Sequence, residues 1–333
     1  MLDRGIKPST IVSYLDQYII GQDDAKKILA VAVYAHYRKI AKARADASEL
    51  AKSNVLLIGP SGTGKTLLCE TLSHILNVPF VTADATSLAQ TRYVNDEIEA
   101  ILQRLLDKAD GDIARAQHGI VFIDEIDKLK GNRGEPRAVS GESVQHALLK
   151  IMEGAPVKLG TAQYLDTTNI LFICGGAFVG LEEIMAKTHG YGFIATSDDD
   201  DNQNILDRLN SRVKPTDLFE FGLIPEFTGR LPVIARFQHL SREMLIRIMT
   251  EPRNCIYNQF REIFRNEGVE LSVDRRVFQQ ISEIAIEYKT GARSLRGLFE
   301  ELITPILFAV PDDPNVKKVE IDSLFTEPRY LRA

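Results

Sequence analysis

One segment of the chain has the residue types and the spacing of a phosphate-binding loop. Residues 59–66 read Gly-Pro-Ser-Gly-Thr-Gly-Lys-Thr, which completes the pattern G-x-x-x-x-G-K-[ST]. The glycines let the backbone curl so that its N–H groups point at phosphate oxygens, Lys65 can reach the β- and γ-phosphates, and the Thr66 hydroxyl can bind Mg²⁺. An apolar run at 54–58 precedes the loop and a helical pattern at 65–76 follows it, which predicts a strand–loop–helix nucleotide site.

A second set of candidate groups is the acid pair Asp124 and Glu125, which follows the apolar run at 120–123. A parallel strand that ends in two acids delivers both carboxylates to the sheet edge where a phosphate loop also lies. Asp124 would then organise Mg²⁺ through water, and Glu125 would polarise the attacking water. Together with the phosphate loop, the pair predicts Mg²⁺-dependent hydrolysis of a phosphoanhydride.

Two arginines, Arg230 and Arg293, are candidates for stabilising the charge of the transition state. Arg230 follows the Gly222 to Gly229 segment, and Arg293 lies in a Gly-Ala-Arg stretch that opens a helical pattern. A guanidinium can stabilise charge on a γ-phosphate, either in its own chain or from a neighbour. Spacing alone favours a surface salt bridge for each of them.

The elements that must position these groups alternate along the first two thirds of the chain. In chain order, the predicted elements are helix 23–45, strand 54–58, helix 65–76, strand 78–83, helix 96–109, strand 119–123 and strand 169–174. This alternation predicts βαβ units and a parallel sheet covered by helices on both faces.

The pattern changes after about residue 237, where helical periodicity dominates. Predicted helices cover 241–249, 252–264, 277–288 and 294–308, with one strand candidate at 316–321. The expected fold class is therefore α/β, with a phosphate-loop NTPase large domain at 1–236 and a smaller, mostly helical domain at 237–333.

Composition narrows the function classes further. The 333 residues are 44% hydrophobic and carry a net charge of −6, which argues against a general nucleic-acid-binding chain. The three cysteines lie far apart without zinc spacing, and the longest apolar stretch, at 28–35, is too short to cross a bilayer. We expect a soluble, reduced, cytoplasmic protein with no membrane partner, in which the acidic stretch 198–204 is a solvated loop.

Several stretches resemble the ClpX family, the AAA+ unfoldases of the Clp protease. The similarity runs from about residue 8 to residue 325, and the stretches that carry it are the phosphate loop and residues 18–27, 123–128, 171–178, 222–230 and 289–293. Several of these are specific to that family and not general to phosphate-loop proteins.

The resemblance implies a set of site residues and partners. The implied nucleotide-binding residues are Ile19, Ile20 and Gly21 around adenine, then Pro60, Ser61, Gly62, Thr63, Gly64, Lys65, Thr66 and Leu67, with Mg²⁺ at Thr66 and Asp124. Arg230 would be an arginine finger that reaches the ATP of the next subunit, and Arg293 would read the nucleotide from the small domain of its own subunit. The family forms homohexameric rings that thread unfolded or tagged protein clients into a ClpP-type peptidase.

The chain departs from the family pattern outside the ATP site. The N-terminal zinc-binding domain has no counterpart in these residues, which fits a truncated sequence and a natural absence equally. The pore residues Tyr93 and Val94 are flanked by Arg92 and Asn95 where the family has glycines. The segment 154–168 is short, with Lys158 its only basic residue.

The peptidase-docking tripeptide is also altered. It reads Tyr191-Gly192-Phe193 in place of Ile-Gly-Phe. These departures predict an intact motor with altered client and partner surfaces, and they leave two functions open. One is a threading unfoldase that acts with or without a peptidase. The other is a non-threading switch or loader that remodels a partner complex.

Overall fold

A five-stranded parallel sheet forms the centre of the large domain. The computed structural model describes residues 6–43, 53–91, 93–130, 141–160, 163–189 and 212–332. The sheet has the order β2-β3-β6-β1-β7, with every neighbouring pair parallel. Its strands are β1 (Val55–Ile58), β2 (Phe80–Asp84), β3 (Ile120–Asp124), β6 (Leu171–Gly176) and β7 (Val233–Arg236).

Helices cover both faces of this sheet, so its central strands are buried on both sides. Every residue of β1 and of β6 is buried, as expected for apolar runs in a parallel sheet. The helices are α1 (Pro8–Leu15), α2 (Asp23–Ala43), α3 (Lys65–Leu76), α4 (Ala85–Gln90), α5 (Val94–Lys108), α6 (Ile113–Ala116), α7 (Gly141–Glu153), α8 (Leu181–His189), α9 (Pro215–Phe221) and α10 (Pro225–Gly229). Two apolar cores result, one on each face of the sheet.

An antiparallel hairpin projects between α7 and β6. It consists of β4 (Pro156–Leu159) and β5 (Gln163–Asp166), which pair with Lys158 opposite Tyr164. Leu165 is buried in the large-domain core, whereas Tyr164 is exposed, so the hairpin has one packed face and one open face. The backbone N–H of Gly160 donates to Glu99 of α5 at 2.8 Å, which fixes the hairpin to that helix.

A smaller domain follows β7 and has its own apolar core. Its helices are α11 (Arg242–Thr250), α12 (Ile256–Asn266), α13 (Arg275–Glu287) and α14 (Leu295–Ala309). Beside them lies a three-stranded sheet of order β10-β9-β8, formed by β8 (Glu270–Val273), β9 (Val316–Ile321) and β10 (Arg329–Arg332). The predicted α/β class is confirmed, although the single strand expected here belongs to a sheet of three.

The register of the large sheet gathers its strand ends at one edge. Ile58 pairs with Gly176 of β6 and with Arg236 of β7, and Asp84 pairs with Asp124. The carboxyl ends of the strands therefore meet where ligands bind in open α/β sheets. Among the residues that the structure describes, none of the helices combines the length and the apolar character needed to cross a membrane.

Candidate functional site

The phosphate loop leaves β1 at the carboxyl edge of the sheet and leads directly into α3. Its backbone makes two turns that require glycine, because Gly62 and Gly64 have φ values of +76° and +97°. The loop is braced internally by Thr63, whose hydroxyl donates to the Pro60 carbonyl at 2.8 Å. Since α3 begins at Lys65, the positive end of the helix and its free N–H groups face the loop. This arrangement can hold a chain of phosphates.

Lys65 is buried against the loop that it serves. Its Nζ donates to the carbonyl oxygens of Gly59 at 2.6 Å and Pro60 at 3.0 Å. Burial lowers the pKa of Lys65 from its ordinary value, while the nearby carboxylates of Asp124 and Asp127 act in the opposite direction. The cation is thus placed within the loop, close enough to Asp124 and Asp127 for their charges to act on its pKa.

The structure brings the predicted magnesium ligands together. The Thr66 hydroxyl donates to Oδ2 of Asp124 at 3.4 Å, and Oδ1 of Asp124 accepts the backbone N–H of Glu125 at 2.9 Å. A hydroxyl and a carboxylate are the hard oxygen ligands that Mg²⁺ takes, with waters and substrate phosphates completing its shell. These residues therefore fit a magnesium ion bound together with a nucleotide.

Glu125 has an uncommon backbone conformation. It lies immediately after β3 with φ of +58°, in the left-handed region that residues other than glycine rarely adopt. It precedes a 3₁₀ turn, Ile126–Leu129, and its side chain is half-buried. Backbone strain of this kind persists where surrounding contacts enforce it, and it is common at functional sites.

Asp127 supplies one of those contacts, and the sequence reasoning did not single it out. Its carboxylate is 4% exposed and accepts the backbone N–H groups of Ala177 and Phe178, each at 3.3 Å. A Cβ on Gly176 would lie only 2.5 Å from Asp127 Oδ1, so glycine is needed at that strand end. Asp127 thereby joins the turn after β3 to the loop after β6. The available signal was a third acid in the stretch 124–127.

The predicted adenine segment lies between α1 and α2. Ile19 and Ile20 are buried, and Gly21 has φ of +66°. Lys26, only 2% exposed, holds the segment by donating to the Ile19 carbonyl at 2.7 Å while it pairs with Asp16, also at 2.7 Å. The local fold of this segment therefore depends on a buried lysine of α2.

The small domain contacts the phosphate loop through the turn that carries Arg293. This 3₁₀ turn is Gly291–Ser294, and its Ala292 N–H donates to the Gly62 carbonyl at 3.1 Å. The positive charge of Arg293 acts with burial to lower the pKa of Lys65. The structure thus brings Arg293 toward the phosphate loop of its own chain.

Arg230 has different neighbours. It follows α10 and donates to Oε1 of Glu153, the last residue of α7, from Nε at 2.9 Å. Among the described residues, this is the ion pair that Arg230 makes, and it does not join the cluster around Lys65.

The predicted client-facing and partner-facing residues are described only in part. Tyr93 precedes α5 and is 69% exposed, whereas Val94 is half-buried against the large-domain core. Leu67 is exposed on α3. Arg92, which flanks the pore residues, the tripeptide 191–193 and the acidic stretch 198–204 lie outside the described residues.

Comparison with known proteins gives consistent matches over nearly the whole chain. Residues 25–234 match the family model of the AAA domain (Cdc48 subfamily), and residues 240–321 match that of the C-terminal D2-small domain of ClpB protein. The chain is 44% identical over 95% of its length to ATP-dependent Clp protease ATP-binding subunit ClpX 3 of Methylococcus capsulatus, covering 79% of that protein. The identity is also 44%, over 95% of the chain, to the ClpX subunits of Borrelia duttonii and Bacteroides thetaiotaomicron, with 77% and 80% of those proteins covered.

Proposed function

The chain belongs to the ClpX family of AAA+ ATPases, and from this premise we propose that it uses ATP hydrolysis to thread protein clients through the central pore of a ring and so unfold them. It is an ATP-binding enzyme of the Clp type. The observation that carries the proposal is the convergence of Lys65, Thr66, Asp124 and Glu125 at one sheet edge, with the turn of Arg293 hydrogen-bonded to the same loop.

In the proposed chemistry, each side chain has a separate task. The loop N–H groups and Lys65 hold the β- and γ-phosphates, and Thr66 and Asp124 bind Mg²⁺, which neutralises phosphate charge when it is bound. Glu125 polarises the attacking water. Arg293 reads the nucleotide from the small domain, and Ile19, Ile20 and Gly21 contact the adenine.

The proposed role of Arg230 requires a neighbouring subunit, and membership of the ClpX family implies that the subunits form a homohexameric ring. An arginine that pairs with Glu153 on the surface of its own chain is available to a nucleotide of the next subunit. We propose that the large domain spans 1–236 and the small domain 237–333, with ATP between them, and that the ring works in the cytoplasm. Client threading is supported by the exposure of Tyr93, which offers an aromatic ring to an unfolded chain.

Delivery of clients to a ClpP-type peptidase is part of the proposal, although unfolding without a peptidase fits the same motor. The relatives are named as subunits of the Clp protease, and the docking tripeptide of this chain differs by Tyr191. A peptidase with a pocket shaped for a small aliphatic side chain would bind this tripeptide weakly.

Replacement of Glu125 tests the proposed chemistry. We expect Glu125→Gln to keep ATP binding and to lower turnover by roughly 10²-fold or more, about 3 kcal/mol of transition-state stabilisation. We expect Lys65→Ala to abolish ATP binding. The matched control is Glu262→Gln, which changes an exposed acid on α12 and should leave turnover unaltered. Near-normal turnover in Glu125→Gln would refute its role in polarising water.

The same variant tests the threading role. Because Glu125→Gln should hold ATP without hydrolysing it, clients and any peptidase should remain bound and be recovered together. Recovery that is equal with and without ATP would argue against an ATP-dependent unfoldase.

A further inference from the structure

Gln22 has a backbone conformation and a set of contacts that the ATP-site chemistry does not account for. It lies between the adenine segment 19–21 and the start of α2, with φ of +60° and 5% exposure. Its Nε2 donates to the Gln238 carbonyl at 2.9 Å, and its Oε1 accepts the Gln238 backbone N–H at 2.8 Å. The side-chain amide of Gln22 therefore satisfies both backbone polar groups of a residue 216 positions away.

Gln238 lies in the linker that connects the two domains. This linker, residues 237–241, begins after β7 ends at Arg236 and stops where α11 begins at Arg242. Its other attachment is to the end of β1, directly before the phosphate loop, since the Phe237 N–H donates to the Ile58 carbonyl at 2.7 Å. A Cβ on Gly59 would lie 2.6 Å from the Phe237 carbonyl oxygen, so the linker and the loop are in direct contact. The linker is thus held by β1 at Phe237, where it also touches the phosphate loop, and by Gln22 at Gln238.

Two contacts join the small domain to the adenine segment and to the residues just before it. The Arg253 N–H donates to the Gln17 carbonyl at 3.0 Å, and the Met244 side chain occupies the space where Gly21 would carry a Cβ. A shift of the linker would therefore move the groups that contact residues 17–22, namely Gln238 of the linker and Met244 and Arg253 of the small domain.

We propose that Gln22 is a positioning residue that couples binding of the adenine base to the inter-domain linker. The inference rests on the proposed role of residues 19–21 as the adenine segment. Adenine contacts residues 19–21, which lead directly into Gln22. When binding of the base shifts this segment, the side-chain amide of Gln22 moves with it, and its two hydrogen bonds pass the shift to the backbone of Gln238. The segment itself is anchored independently by Lys26, so loss of the Gln22 amide disconnects the linker without unfolding the segment.

The two hydrogen bonds to Gln238 need both the donor and the acceptor of a side-chain amide. Methionine has a similar length but neither donor nor acceptor, so Gln22→Met breaks both hydrogen bonds. Glutamate keeps the acceptor for the Gln238 N–H but turns a second oxygen toward the Gln238 carbonyl, so Gln22→Glu keeps one bond of the two. The matched control is Gln103→Met, because Gln103 lies on α5, far in sequence from both the adenine segment and the linker, and its side chain donates to Oδ1 of Asp107 at 3.0 Å.

Binding of two probes to the full chain tests the coupling. ATP carries the base, and inorganic tripolyphosphate presents the phosphates alone, each measured with Mg²⁺ by titration calorimetry. We expect Gln22→Met to weaken ATP binding about tenfold, Gln22→Glu to weaken it by a smaller factor, and both to leave tripolyphosphate binding within about twofold of the wild type. Gln103→Met should match the wild type with both probes.

Hydrogen–deuterium exchange of peptides that cover 236–240 gives a second readout. ATP should slow exchange there in the wild type and in Gln103→Met, but not in Gln22→Met, and tripolyphosphate should slow it in none of them. An equal loss of ATP and tripolyphosphate binding in Gln22→Met would overturn the proposal, since it would indicate a general collapse of the site. Unchanged ATP affinity together with unchanged linker protection would also overturn it. A wild type that binds no ATP would instead refute the proposed ATPase function.

Discussion

Arg230 donates to a single oxygen of Glu153, Oε1, from two nitrogens, with Nε at 2.9 Å and Nη2 at 2.6 Å. Both side chains are about half exposed, at 50% and 42%. An exposed ion pair contributes only about 0–1 kcal/mol, so the contact orients the guanidinium without holding it strongly. Glu153 ends α7 and Arg230 follows α10, which places the arginine at the junction of two helices on the surface. We interpret the pair as the position that Arg230 occupies when its guanidinium is not in contact with the nucleotide of a neighbouring subunit.

The first prediction concerns the action of Arg230 on the ATP of a neighbouring subunit. We expect Arg230→Ala to lower ATP turnover by about 10³-fold, because the charge of the γ-phosphate loses its partner, and to leave ATP binding within a few-fold. Mixing Arg230→Ala chains with Lys65→Ala chains should restore part of the turnover, since each ring then contains sites with an intact loop beside an intact arginine. Turnover is measured in steady state at several mixing ratios.

Arg115→Ala is the matched control for this experiment, because Arg115 forms a comparable exposed pair with Asp110 at 3.0 Å. It should leave turnover unchanged. A mixture that is no more active than its inactive components would show that Arg230 does not act between subunits.

The second prediction concerns Tyr93. Since its ring is exposed and the ATP site is built from other segments, Tyr93→Ala should keep basal ATP turnover within a few-fold and abolish unfolding of clients. The clients are those recovered with the Glu125→Gln variant, and loss of their native fluorescence measures unfolding. Tyr93→Phe should keep unfolding, and Tyr288→Ala, which removes an exposed aromatic ring of the small domain, should keep it as well. Client unfolding by Tyr93→Ala at the wild-type rate would contradict the proposed contact between the Tyr93 ring and the client chain.

The sequence predicted the local elements of the ATP site because their patterns act over short distances. The strand, the glycine loop and the helix that begins at Lys65 occupy one continuous stretch, and the apolar run before Asp124 specifies a buried strand. The family resemblance read from these motifs is confirmed by the comparisons. The strand order could not be read in the same way, because the place of β6 between β1 and β3 depends on pairing between distant segments.

The short strands outside the large sheet were missed for a related reason. β10 reads Arg-Tyr-Leu-Arg, and its strand structure depends on backbone hydrogen bonds to β9. The segment 154–168, for which the sequence indicates only shortness and a single basic residue, contains the β4–β5 hairpin, in which Leu165 is buried and Tyr164 is not. Isolated stretches of four residues have too little periodicity to distinguish a strand from a loop.

Sequence spacing also did not indicate Asp127 and Gln22, the residues that position parts of the site. Asp127 bonds to backbone groups about 50 residues away, and Gln22 to backbone groups 216 residues away. Their residue types are common in loops and helix starts, so the sequence alone favours a local role for each.

The third prediction concerns the cysteines at 69, 174 and 255, all of which are buried as free thiols. Burial raises the pKa of Cys174 to about 12 and also raises that of Cys69. Because only the thiolate reacts, alkylation by iodoacetamide should stay slow in the folded protein between about pH 7 and 9 and be complete in urea. Rapid alkylation of all three thiols without denaturant would contradict the buried placement.

The same shift in pKa makes the folding free energy depend on pH. Above the ordinary thiol pKa of about 8.5, the unfolded chain releases thiol protons that the folded chain retains. The unfolded state then binds fewer protons, so the free energy of unfolding falls as the pH rises, by up to about 1.4 kcal/mol per pH unit for each such thiol. Urea unfolding at several pH values measures this slope, which should be smaller in Cys174→Ala than in the wild type.

The last prediction concerns Asp127. Its carboxylate accepts the N–H groups of the half-buried Ala177 and the buried Phe178, and Asp127→Ala would leave both groups without that partner. Each such loss costs about 1–3 kcal/mol, so the free energy of unfolding should fall by at least about 1 kcal/mol. Because Asp127 lies in the 3₁₀ turn that follows Glu125, we also expect turnover to fall about tenfold while ATP affinity stays within a few-fold.

Asp112→Ala separates this positioning role from a loss of stability. Asp112 is an exposed carboxylate that accepts the Arg115 N–H at 3.1 Å at the start of α6, so its removal should cost about 1 kcal/mol and leave turnover intact. Asp127→Asn retains one acceptor oxygen and should lie between the wild type and Asp127→Ala in turnover. Steady-state kinetics and urea unfolding of the three variants give both quantities. If Asp127→Ala lost stability but kept wild-type turnover, the carboxylate would serve the fold and not the orientation of Glu125.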